Sequence, residues 1–311
     1  MSEAPRIAVA PEGTRAWIRD AVEEGGGHVV APADAEALVW TATGGADGAT
    51  QLRGVVDANP HLRWVQLPWA GVEQYAEAGV FDTDRRWTCG KGVYARPVAE
   101  HALGLGLAGL RGLRRHAAAR TWGDRHGGIS LVGGRATVFG GGGIAQELCK
   151  LLAPFDCQVT VVRRHPDPLP GADDVIGFDR RYEALKGADV VFLALSLTPE
   201  THGVISEIEL ELMEPHAWLV NVARGEHVVT EDLVIALRGD VIGGAALDVT
   251  DPEPLPDGHP LWELPNCLIT PHTANTEDTE QQYLSQRIRD NVQRFAEGRQ
   301  LLGLVDAELG Y

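Results

Sequence analysis

Short apolar runs alternate with amphipathic stretches along most of the chain. Arg6–Ala10, His28–Ala31, Ala37–Thr41 and Arg63–Leu67 read as short strands. Helices are expected over Thr14–Glu24 and Gln51–Ala58, the second stopping before Asn59-Pro60. This alternation predicts a parallel α/β unit over the first hundred residues. Pro97 then stands where a long apolar helix begins, carrying Val98, Ala102, Leu105, Leu107 and Leu110. The stretch from Arg111 to Gly134, rich in arginine, glycine and histidine and bearing Trp122, reads as a surface excursion. Six more strands are expected at Ala136–Phe139, Gln158–Val162, Asp189–Leu195, Ala217–Val222, Val241–Leu247 and Asn266–Thr270. Ile144–Leu152, Ser206–Met213 and Glu231–Arg238 supply helices between them, and a polar helix runs from about Glu277 to Glu297. The tail from Gly298 to Tyr311 is too short for a domain and is expected to return to the first unit.

The first strand of the second unit ends in four consecutive glycines, and Ile144, Leu148, Leu151 and Leu152 follow at helical spacing. Read as Gly140-x-Gly142-x-x-Ala145, this strand-to-helix turn fits the dinucleotide fingerprint, with alanine in its third place. Gly140 would allow the sharp turn, and Gly142 would let a pyrophosphate approach the backbone. The helix N-terminus would hold the phosphates. Alone, the pattern also fits a flexible glycine-rich loop. Six strands with the glycine turn after the first favour the doubly wound nucleotide-binding plan. The second strand ends in Arg163-Arg164, where an acidic residue would read the ribose of NAD. Two guanidinium groups suit a 2′-phosphate instead, so NADP(H) is the expected preference, with NAD(H) possible.

Composition narrows the partners. The net charge of −17 over 311 residues argues against nucleic acid or an anionic membrane surface. Only three of the 27 basic residues are lysines (Lys91, Lys150 and Lys186), an arginine bias that reads as compositional. Cys89, Cys149, Cys157 and Cys267 are scattered without metal-ligand spacing and are expected to be reduced, packed thiols. No signal peptide and no membrane-spanning run is evident, so a cytoplasmic location is expected, with no metal.

Three stretches fall where strands of the second unit end: Asn221-Val222-Ala223-Arg224-Gly225, Asp248-Val249-Thr250-Asp251-Pro252-Glu253-Pro254 and Thr270-Pro271-His272-Thr273-Ala274. In open α/β sheets ligands bind at that edge. With Ala70-Gly71-Val72, Val98-Ala99-Glu100-His101, the glycine turn and Leu197-Thr198-Pro199-Glu200-Thr201, the chain resembles the D-isomer-specific 2-hydroxyacid dehydrogenase family. Arg224, Glu253 and His272 follow in the family's order, spaced by 29 and 19 residues.

The resemblance implies two doubly wound parallel-sheet domains. A Rossmann-type NAD(P) domain (98–274) would be inserted into a flavodoxin-like substrate domain (1–97 and 275–311). The activity implied is NADPH-dependent reduction of a small 2-oxo acid, of the glyoxylate or hydroxypyruvate type, to the D-2-hydroxy acid. His272 would act as general acid, paired to Glu253, which raises its pKa. Arg224 would bind carboxylate and carbonyl. Ala70, Gly71 and Val72 would hold the substrate, and Asp248 resembles the acid that contacts the nicotinamide carboxamide. Gly140, Gly142, Gly143, Ile144, Arg163, Arg164, Leu195, Ser196, Thr201, Val222 and Ala223 complete the implied coenzyme contacts. Trp69, Tyr94 and Trp262 are candidates to border the substrate, and a homodimer is implied.

Each residue also has a structural reading: a histidine after proline, a solvated turn at Glu253, a strand-end charge at Arg224. Alternatives to the leading function are a phosphoglycerate dehydrogenase and a non-catalytic dinucleotide-sensing protein of the same fold. Three positions depart from the family pattern: Ala145 in place of the commoner third glycine, Glu73 in place of aspartate and Ser196 in place of proline.

Overall fold

A computed structural model describes residues 4–11, 13, 15–41, 46–122 and 127–306. The chain forms two compact units, Met1–Tyr94 with Thr276–Tyr311, and Ala95–Asn275.

In the first unit the strands are β1 (Arg6–Ala10), β2 (His28–Val29), β3 (Ala37–Trp40), β4 (Trp64–Gln66) and β5 (Arg86–Thr88). They pair in parallel in the order β2-β1-β3-β4-β5, the flavodoxin-like arrangement. Helices Ala16–Glu24, Ala46–Ala58 and Glu73–Glu77 lie between strands, and Glu277–Ala296 closes the unit. The expected start of the first helix at Thr14 lies outside the described residues, and the second begins earlier than its apolar pattern, at Ala46. Trp40, Trp64, Tyr75 and Trp87 are fully buried and supply much of the core, each aromatic removing a large apolar area from water. The closing helix is pinned by buried Asn291, whose Nδ2 donates to Gln66 Oε1 at 2.8 Å. The tail does return to this unit. Cys89 N–H donates to the Gly303 carbonyl at 2.8 Å, and Val305 N–H to the Trp87 carbonyl at 3.0 Å, covering the β5 edge. Residues 307–311 lie outside the described part.

The second unit opens with helix Ala95–Leu110, so Pro97 falls within the first turn, where its missing N–H has no intrahelical partner to lose. Among the described residues seven strands follow: β6 (Arg135–Phe139), β7 (Gln158–Arg163), β8 (Asp174–Gly177), β9 (Val190–Leu193), β10 (Trp218–Asn221), β11 (Gly244–Leu247) and β12 (Cys267–Ile269). All pairings are parallel, in the order β12-β11-β10-β9-β6-β7-β8. The apolar pattern predicted six, and β8 is the addition. Its Asp-Val-Ile-Gly sequence has no long apolar run, and it pairs only along the open side of β7.

Strands β9 and β11 are buried at every position, as expected of a sheet covered on both faces. Burying each Val, Leu or Phe side chain contributes about 1.5–3 kcal/mol. All four cysteines are free and buried. Among the described residues no helix is long and apolar enough to cross a membrane. Within Arg111–Gly134 the structure shows a short helix, Leu113–Ala118, and leaves Trp122 87% exposed; residues 123–126 lie outside the described part.

Candidate active site

The strand order of the second unit reverses at β6, which has β7 on one side and β9 on the other. The loops after these strands therefore gather at one carboxyl edge, where such sheets bind ligands. Gly140 takes φ +116°, and a Cβ there would lie 2.1 Å from the Ala194 carbonyl oxygen, so only glycine allows the turn against the end of β9. A Cβ on Gly142 would meet nothing within 4 Å. That residue caps helix Gly143–Leu152, which has no side-chain cap and no acidic residue in its first turn. Its leading N–H groups and dipole are thus free to receive phosphates, and the turn fits a dinucleotide. Ala145 is fully buried, packing the helix onto the sheet, while Gly143 and Ile144 are half-buried at its start.

Arg163 ends β7 with its guanidinium against the glycine turn; a Cβ on Gly141 would fall 2.7 Å from its Nε. Arg164 is exposed and ion-paired to Glu200 at 2.7 Å. On the other flank, Leu195 and Ser196 begin the loop after β9. Thr201 ties that loop together, its hydroxyl donating to the Ser196 carbonyl and accepting from Thr198 N–H, both at 2.8 Å. Sequence reasoning assigned nothing to His227, whose fully buried ring touches the carbonyls of Thr201 (3.0 Å) and Leu195 (3.2 Å) at the two ends of this loop.

The turn after β10 carries Val222, Ala223 and Arg224, the first two buried. Asn221, at 1% exposure, shapes it from within: Nδ2 donates to the Arg224 carbonyl at 2.8 Å, and Oδ1 accepts from Ala223 N–H at 3.0 Å. Arg224 Nη1 donates to the Ala223 carbonyl at 2.7 Å. A Cβ on Gly225 would lie 2.0 Å from the Thr250 carbonyl oxygen. That glycine lets the Arg224 turn press directly on the loop bearing Glu253.

Asp248, at the end of β11, is buried and organises the next loop. Its Oδ1 accepts from the Thr270 hydroxyl at 2.5 Å and Thr273 N–H at 2.8 Å, and Oδ2 accepts from Ala274 N–H at 3.0 Å. His101 Nε2 lies 3.0 Å from the Thr270 hydroxyl and 3.4 Å from Asp248 Oδ1. Burial acts to raise the Asp248 pKa, but the hydrogen bonds from His101, Thr270, Thr273 and Ala274 together outweigh it, and the carboxyl sits below its ordinary range. The clamp holds His272 at φ +52°, a left-handed conformation that is strained for a side chain with a Cβ. His272 N–H donates to the carbonyls of Asp248 (2.8 Å) and Thr270 (2.9 Å).

In that conformation His272 Nδ1 meets Glu253 Oε1 at 2.7 Å, both side chains about half exposed. The hydrogen bond to Glu253 is the chief cause holding the imidazole pKa above its ordinary value; burial and the charge of Arg224 oppose it. Glu253 is held low, first by the same bond and also by Arg224. A guanidinium, a carboxylate and an imidazole thus influence one another at one sheet edge, beside the loops around the glycine turn.

The family model for the D-isomer specific 2-hydroxyacid dehydrogenase NAD binding domain matches residues 103–274, the stretch that builds this edge. The chain belongs to that family. An uncharacterized protein from the proB 3′ region of Corynebacterium melassecola is 39% identical over 263 residues, covering 82% of this chain and 86% of that one. A glyoxylate/hydroxypyruvate reductase A of Serratia proteamaculans is 34% identical over 174 residues, spanning 56% of this chain and only 55% of the reductase. The crystal structure of a D-isomer specific 2-hydroxyacid dehydrogenase from Xanthobacter autotrophicus Py2, in complex with NADPH and MES, superposes with a TM-score of 0.84 at 25% identity, covering 99% of this chain and 100% of that one. The protein is therefore an NAD(P)-dependent oxidoreductase of the 2-hydroxyacid dehydrogenase family.

Of the remaining expected residues, all but Trp262 lie in the first unit. Ala70, Gly71 and Val72 follow β4 and lead into helix Glu73–Glu77, running from exposed to buried. Trp69 packs against Tyr94 with ring centroids 6.0 Å apart, and Arg15 stands 5.6 Å over the Trp69 ring. Trp262, in the second unit, is 41% exposed and bonds the Pro256 carbonyl at 3.1 Å.

Proposed function

We propose that the protein reduces a small 2-oxo acid, of the glyoxylate or hydroxypyruvate type, to the D-2-hydroxy acid with NADPH, acting in the cytoplasm as a homodimer. The observation that carries this reading is the half-exposed His272–Glu253 pair at 2.7 Å, with Arg224 close enough to shift both pKa values. When bound, the coenzyme supplies the hydride. His272, kept protonated by Glu253, donates its proton from Nε2 to the oxygen of the reduced carbonyl and takes it back in the reverse direction. Nε2 is the nitrogen left for substrate because Nδ1 faces Glu253. Arg224 binds the substrate carboxylate and polarises the carbonyl with a charge that does not titrate. Ala70, Gly71 and Val72 are the proposed substrate-binding element of the first unit.

Gly140, Gly142, Gly143 and Ile144 receive the pyrophosphate in this reading. Leu195, Ser196, Thr201, Val222, Ala223 and Asp248 line the rest of the dinucleotide. Arg163 and Arg164 favour NADPH through its 2′-phosphate. The test is coenzyme oxidation with glyoxylate, hydroxypyruvate, phenylpyruvate or 3-phosphohydroxypyruvate. Turnover with the first two, and a lower KM for NADPH than for NADH, is expected. Selective turnover of 3-phosphohydroxypyruvate would point to a phosphoglycerate dehydrogenase. Binding of coenzyme without turnover of any acid would point to a sensor.

A further inference from the structure

One ion pair joins the two loops that flank the glycine turn. Arg164 follows β7 and Glu200 lies in the loop after β9, the two neighbours of β6 in the sheet. Arg164 Nη2 donates to Glu200 Oε2 at 2.7 Å, and the Thr198 hydroxyl donates to the same oxygen at 3.4 Å. The Thr201 hydroxyl, bridging Thr198 N–H and the Ser196 carbonyl, keeps the loop that presents the carboxylate in shape. Arg163 does not share this partner position, since its guanidinium lies against Gly141. Both members of the pair stand in solvent, with side chains 59% and 69% exposed, so the pair adds little to the stability of the fold.

We propose that Glu200 is a specificity-determining residue: a built-in rival anion that occupies Arg164 until a 2′-phosphate displaces it. This deepens the NADPH reading above and rests on it. The phosphate brings nearly two negative charges and three acceptor oxygens, against one charge on the carboxylate. It therefore wins the exchange, but NADPH must first open the Arg164–Glu200 pair. The 2′-hydroxyl of NADH carries no charge and leaves the pair closed. Glu200 thus lowers the affinity for NADPH selectively and narrows the margin by which the protein prefers it.

The experiment measures dissociation constants for NADPH and NADH, by calorimetry or coenzyme fluorescence, in the wild type, Glu200→Gln, Arg164→Gln and the double variant. Both positions are exposed, and circular dichroism with a melting curve checks that each variant is folded. Glu200→Gln is expected to tighten NADPH binding by about 1.5- to 5-fold, the range that ion pairs this exposed contribute, while leaving NADH within error. In the Arg164→Gln background the same change is expected to do nothing for NADPH. No tightening, an equal gain for both coenzymes, or a gain that survives without Arg164 would each overturn the proposal. The wild-type ratio of the two constants judges the NADPH preference by itself; the change in that ratio judges Glu200.

Discussion

Replacing Glu253 by glutamine preserves the size of the side chain and removes the charge that faces His272 Nδ1. In the wild type the Glu253 bond is the largest influence raising the imidazole pKa, against burial and the Arg224 charge. Asp248 gives the one other raising influence. The variant therefore loses its proton at lower pH. If His272 is the proton donor, reduction needs its imidazolium, so kcat/KM should decline as pH rises through the His272 pKa, and Glu253→Gln should shift that decline toward acid. A hydrogen bond involving a charged group contributes about 1.5–3 kcal/mol. Here the side chains are 53% and 43% exposed, and solvent screening brings the pair to the low end of that range. The corresponding loss is roughly tenfold in kcat/KM on the alkaline side, with little change on the acid plateau. On the same premise oxidation of the hydroxy acid would need the neutral imidazole, so the variant should gain on the acid side in that direction. The assay is kcat/KM for glyoxylate reduction against pH, followed by loss of NADPH absorbance. Superimposable profiles, or a limb displaced toward alkali, would refute the coupling.

Other perturbations read the scaffold behind the site. Gly225→Ala forces a Cβ into the Thr250 carbonyl, and neither backbone can yield cheaply, so a stability loss of about 3 kcal/mol or more is expected in denaturant titration, together with lost turnover. Asp248→Asn turns an amide N–H toward the donors of the 270–274 loop and should lower stability by about 2–3 kcal/mol at neutral pH. Because the folded-state pKa of Asp248 is depressed, its contribution is present above the unfolded value and lost as pH falls through the folded one. The gap between wild type and variant should accordingly close in acid; a gap independent of pH would contradict the assignment. Gly140→Ala, strained at φ +116° and clashing with Ala194, should abolish coenzyme binding measured by fluorescence, and retained binding would remove the turn from the dinucleotide site.

Much of this architecture is visible in the apolar pattern, because strands such as β9 and β11 are buried on both faces and read as unbroken apolar runs. The pattern fails at β5 and β8, whose Arg-Trp-Thr and Asp-Val-Ile-Gly sequences carry no such run. Both are end strands of the parallel ladders, formed because β4 and β7 offer an open edge. Helices Glu73–Glu77, Arg181–Leu185 and Pro260–Glu263 are too short for a 3.6-residue period to register. At the candidate site, the order and spacing of Arg224, Glu253 and His272 are legible through family resemblance, and so is the glycine turn. The supporting polar residues are not. Asn221, His101 and Thr270 fall inside the motifs the sequence offers but take no role from them, and only the folded chain aims them at the turns they hold.

The most direct measurement is single-turnover reduction of glyoxylate by His272→Gln, with NADPH binding followed separately by fluorescence. If His272 is the acid that acts with Arg224 and Glu253, NADPH should bind as in the wild type while the reductive step slows by about 10²- to 10⁴-fold. Reduction at a rate near that of the wild type would contradict the account.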